Sequence, residues 1–110
     1  MDGRRFERME LDDAARVEAL TETGRRLGPV RTLGALGMLV EAREPLPEGS
    51  PHRLWLIDQA EGIKIEVTVV VRQRSGDTIS FDFRALSVEA AVQIGFLMGK
   101  HHAATRAAAA

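Results

Sequence analysis

The sequence predicts an all-β domain closed by one C-terminal helix, and three observations carry that prediction. Residues 64–74 alternate: Ile65, Val67, Val69 and Val71 fall on one face, and Lys64, Glu66, Thr68, Val70 and Arg72 on the other. That is the period of a half-buried strand. Ser75-Gly76-Asp77 then turns the chain into residues 78–83, where Ile79, Phe81 and Phe83 again alternate with polar residues. From Ser87 the period changes: Val88, Ala91, Val92, Gly95, Phe96 and Gly99 recur at helical spacing.

The other elements follow in order. Residues 1–10 show no sustained periodicity and are expected to form a flexible, arginine-rich arm carrying Arg4, Arg5 and Arg8. Residues 15–20 alternate small or apolar with charged side chains, a first strand, and 21–24 make a turn. Residues 27–33 give a second strand, with Pro29 near its start, where a missing N–H is tolerated. Gly34 and Gly37 bracket a tight bend before the short apolar strand 38–40. Residues 44–51, with three prolines and one glycine, are a loop. A strand over 53–57 and a turn over 58–62 lead into the long strand.

The helix is expected from about Val88 to about Met98, with Ser87 as its N-cap and Glu89 in its first turn. Gly95 costs about 1 kcal/mol against alanine in a helix, which points to close packing on a strand. Residues 100–110 are a low-complexity tail, expected to fray. Six antiparallel strands and a helix over 11–99 make a small barrel or sandwich plugged at one end.

Composition narrows the function. The chain has 110 residues, enough for one core without staples, and no cysteine, which excludes disulfides and thiolate metal sites. It has no apolar run of bilayer length and no signal-peptide stretch near its first residue, so a cytoplasmic protein without membrane insertion is expected. Net charge is −1 and there are five aromatic residues, against what a nucleic-acid polymer requires in basic grooves and stacking platforms. No HExxH and no Walker-type glycine loop is present, and the acidic residues are scattered; the chain is not expected to be an enzyme. Thirteen of the fifteen basic residues are Arg, a bias attributed to a GC-rich genome, so only the arginines' positions carry information.

Those positions carry a resemblance. Arg4-Arg5-Phe6-Glu7-Arg8, an RxxxR in an N-terminal arm, precedes a strand pair and a glycine-bearing bend. Residues 77–83 then lead to a Ser87-initiated amphipathic helix reaching Phe96-Leu97-Met98. Over residues 4–99 the chain resembles the PilZ domain. The resemblance implies a six-stranded antiparallel β-barrel capped by a C-terminal helix, and cyclic di-GMP as ligand. In that family RxxxR holds guanine and phosphate, a task for which guanidinium forks are suited. It assigns the grip to Arg4, Arg5 and Arg8. A second motif, (Asp/Asn)-x-Ser-x-x-Gly, falls on residues 32–37. Gly37 matches, whereas Thr32 replaces the acid or amide and Gly34 replaces the serine. At roughly 1–3 kcal/mol for each lost charge-assisted contact, binding weakens by factors of tens to thousands.

The remaining candidates favour structural roles. Trp55, centred in an apolar strand, is expected in the core. Arg72 and Arg74, on the polar face of the long strand, are expected to be solvated or to protect an edge. His101 and His102 are adjacent rather than four apart and have no carboxylate cluster, so no metal site is expected; His52 reads as a surface residue.

Two functions follow. The first is a stand-alone receptor of PilZ type. Arg4, Arg5 and Arg8 grip cyclic di-GMP with Thr32, Gly34 and Gly37, and the ordered arm presents a new surface to a protein partner. The second is a PilZ-fold interaction module that does not bind nucleotide. Motility and biofilm control are processes implied by the family.

Overall fold

A computed structural model describes residues 8–11 and 16–109, with side chains over 9–11 and 16–101. Seven strands and one helix follow in order: β1 (Arg8–Glu10), β2 (Val17–Thr21), β3 (Arg26–Gly34), β4 (Gly37–Glu41), β5 (Pro51–Asp58), β6 (Ile63–Ser75), β7 (Thr78–Arg84) and α1 (Val88–Ala109). All pairings are antiparallel. Strands β3, β2, β5, β6, β7 and β4 are neighbours in that order, and β4 pairs back onto β3. This closes a six-stranded barrel with one C-terminal helix, as the sequence predicts. Closure gives the backbone groups of the ring partners that an open sheet would leave bare.

Alternate residues fill the barrel. Ile65, Val67, Val69 and Val71 of β6 are buried, as their phase requires, together with Val30, Leu33, Met38, Val40, Leu54, Leu56, Ile79 and Phe81. The 76–77 turn joins β6 to β7 in the expected hairpin. The β6–β7 ladder slips between Val71 and Gln73, which pair with Phe81 and Ser80, leaving Arg72 as an extra residue on β6. Such a bulge bends its strand and re-aims the side chain it carries.

Five expectations are corrected. Residues 8–10, assigned to the arm, form β1 against the C-terminal end of β3. Three residues are too few to display a period, and pairing with β3 makes them a strand. Trp55 lies outside the core: β5 turns Leu54, Leu56 and Asp58 inward and leaves Trp55 half-buried, with the Lys64 ammonium 5.0 Å from its ring centroid. The run Leu54-Trp55-Leu56-Ile57 is apolar in both phases, so alternation cannot choose between them.

The helix supplies the other three corrections. It continues past Met98 to Ala109, and its buried face is Ala90, Ile94 and Leu97. Val88, Val92 and Phe96 instead point to solvent at 82%, 65% and 57% exposure. Both faces have helical spacing, so period alone cannot choose between them, and packing on the barrel selects the one with Ile94 and Leu97. A Cβ at Gly95 would meet nothing within 4 Å, so Gly95 packs on no strand. Ser87 is the N-cap, its Oγ accepting the Ala90 N–H at 3.0 Å.

One charged residue is buried among the described residues. Asp58, at the end of β5, accepts the Ala60 N–H at 3.1 Å and a hydrogen bond from the Lys100 ammonium of α1. Glu61 lies 3.8 Å from the same ammonium. The pair ties α1 to the barrel, since removing either member would strand a charge.

Candidate functional site

The bend between β3 and β4 organises the site. Register places Arg8 opposite Gly34 on one side of β3, while β4 pairs with β3 through Leu33 and Thr32 on the other. The last arginine of the N-terminal motif is thereby held, at its backbone, beside the second motif. The side chain of Arg8 and all of Arg4 and Arg5 lie outside the described residues.

Gly34 and Gly37 open onto a cleft of about 620 Å³, whose other walls are Leu36, Arg72, Asp82, Phe83 and Arg84. The β4–β7 pairing explains this meeting of distant segments, because Gly37 lies opposite Asp82 and the Phe83 N–H donates to the Leu36 carbonyl at 2.9 Å. A volume of this size suits a small-molecule ligand. A Cβ at Gly37 would sit 2.2 Å from the Phe81 carbonyl oxygen, so only glycine lets β4 approach β7 this closely. The glycine of the second motif thus has a structural reason independent of any ligand.

Thr32 stands apart from this cleft. It pairs with Glu10 and Leu39, and its Oγ1 is buried without a hydrogen-bond partner among the described residues. Gly34 and Gly37 are brought together with Arg8's backbone position; Thr32 neighbours them in sequence but does not line the same wall.

Five cleft residues were not singled out as ligands by sequence: Leu36, Arg72, Asp82, Phe83 and Arg84. Arg72 and Asp82 approach to 3.9 Å, beyond hydrogen-bond reach, and both are about half exposed or more. Arg84 is exposed and has no acidic partner among the described residues. Two guanidiniums and one carboxylate leave the wall with a positive charge. Arg74, expected on the same solvated face, instead donates to the Glu44 carbonyl in the proline-rich loop.

A second arginine-lined cleft, about 430 Å³, contains Arg16, Arg26 and Arg31 with Glu18 and Glu41. Its guanidiniums are engaged. Arg26 donates to both Glu18 oxygens at 2.6 and 2.9 Å, and Arg31 donates to Glu41 at 2.8 Å. The hydrogen bond to Glu18, then the charge of Glu18, raises the Arg26 pKa above its ordinary value. No helix among the described residues is long and apolar enough to cross a membrane.

No family model and no curated protein matches this sequence. Solved structures do match it. The PilZ domain of YcgR from Escherichia coli, with c-di-GMP, superimposes with a TM-score of 0.77 at 17% identity, covering 98% of each chain. The fold is that of a PilZ domain. Two further structures match the chain. The PilZ domain of CeSA from a cellulose-synthesizing bacterium gives 0.65 at 13% identity, over 87% of this chain and 98% of its own. An uncharacterized Legionella protein gives 0.67 at 11%, over 92% and 99%.

Proposed function

We propose that this chain is a PilZ-type receptor for cyclic di-GMP, a binding protein rather than an enzyme, working in the cytoplasm as an adaptor. The ligand occupies the cleft at the β3–β4 bend. Arg4, Arg5 and Arg8 close over it from the N-terminal side, Gly34 and Gly37 form its side-chain-free floor, and the ordered leader offers a partner protein a new surface. The observation that carries this reading is the Arg8–Gly34 register, which sets the backbone of the last residue of the arginine motif beside the glycine that opens onto the cleft. The PilZ domain of YcgR, solved with c-di-GMP, supports the choice of ligand. Motility and biofilm control are the processes such a receptor would serve.

Calorimetry with cyclic di-GMP tests it. Micromolar binding by the intact chain, abolished in Arg4→Ala/Arg8→Ala, is the expected result. Absence of heat at millimolar ligand would overturn the receptor.

A second reading has its own support: a PilZ-fold module that docks a protein constitutively and binds no nucleotide. Thr32 and Gly34 in place of an acid and a serine favour it, as does the exposed apolar row Val88, Val92 and Phe96. Silence in calorimetry would leave this reading in possession.

A further inference from the structure

We propose that Arg72 and Arg84 form a second guanidinium clamp, which holds a phosphodiester of the ligand from the β6–β7 side of the cleft. The inference rests on the receptor reading and adds contacts that the two sequence motifs do not contain. Arg72 is the extra residue of the β6 bulge, and Arg84 ends β7 opposite Thr68. Both line the cleft whose floor is Gly34 and Gly37. Their only facing carboxylate among the cleft residues is Asp82, 3.9 Å from Arg72. Among the described residues, one positive charge on this wall is therefore left unneutralised, above a floor without side chains.

A phosphodiester carries one negative charge on two non-bridging oxygens, which match guanidinium N–H pairs in geometry and charge. Where Gly34 removes a hydroxyl donor and Thr32 buries its own, these two arginines restore donors to the ligand. Asp82 keeps the pair at net +1, so a single phosphodiester neutralises the wall.

The test is calorimetry of cyclic di-GMP with the full chain, Arg72→Gln/Arg84→Gln and the single variant Arg84→Gln, each at low and high salt. The double variant should bind about 10- to 100-fold more weakly than wild type, with a shallower loss of affinity as salt rises. Arg84→Gln should weaken binding alone, and Arg84→Lys should recover part of it, since charge returns without the fork. Both side chains are exposed, and unchanged thermal melting confirms that the fold is intact. Wild-type binding with double-variant affinity and salt dependence unaltered overturns the clamp while sparing the receptor. Silence of the wild type overturns both.

Discussion

Two surfaces of this barrel carry arginines, and they differ in what each guanidinium already touches. On the flank of β2, β3 and β4, Arg26 grips both oxygens of Glu18, and Arg31 holds Glu41. At the β3–β4 bend, Arg72 approaches its one carboxylate without a hydrogen bond, and Arg84 has none among the described residues. The clefts they line are otherwise alike: both are open, polar and made from strand faces. An arginine count would rank the flank first, because it has three. The state of the donors reverses that order, since a ligand anion must displace hydrogen-bonded carboxylates on one surface, whereas on the other no described residue hydrogen-bonds the Arg72 or Arg84 guanidinium.

The comparison is broken most severely at Gly37. Gly37→Ala drives a Cβ against the Phe81 carbonyl, so β4 and β7 must separate where they form the cleft. The expected loss is about 1–3 kcal/mol of stability, measured by denaturant unfolding. An unchanged midpoint would mean that the close β4–β7 approach is not required for closure. The same substitution should lower ligand affinity, because Gly37 and Asp82 face each other across the cleft floor.

The sequence made the barrel legible where period and punctuation agree. Ile65 to Val71 fix the phase of β6, Ser75-Gly76-Asp77 fixes the hairpin, and Ser87 fixes the helix start. It misled where two phases are equally apolar, at Trp55 and along Val88, Val92 and Phe96; there tertiary packing selects the face. The site was legible only in part. Gly34 and Gly37 line the cleft, but Thr32, one alternation away, buries its hydroxyl. Arg72 and Arg84 escape sequence reading for another reason. Their approach to the bend follows from the β4–β7 pairing, and an extra residue in a ladder leaves no mark on hydrophobic alternation.

Thr32 sharpens the contrast between motif and cleft. Its buried Oγ1 lacks a partner among the described residues, so Thr32→Val removes an uncompensated polar atom at nearly constant volume. Stability should rise by about 1 kcal/mol, read as an increase in melting temperature of several degrees. Cyclic di-GMP affinity should stay the same, because the hydroxyl faces no part of the cleft. A drop in affinity would instead place Thr32 in contact with the ligand, as the family's second motif would have it.

The smallest effect is expected on the flank, and it is the control that gives the other results meaning. Arg26→Ala removes the fork on Glu18, yet Arg26 is largely exposed, and exposed ion pairs contribute little after solvent screening and side-chain ordering. Its melting temperature should barely move. Ligand affinity should remain within a factor of about two of wild type, because the flank arginines and the cleft share no partner. The decisive comparison is Arg26→Ala beside Arg84→Gln: each removes one exposed positive charge from the same barrel, so any long-range electrostatic attraction falls in both. If the two lose affinity equally, the ligand senses only overall charge, and the distinction between engaged and unengaged guanidiniums has no functional content. If only Arg84→Gln loses it, the anion is held at the bend by contact.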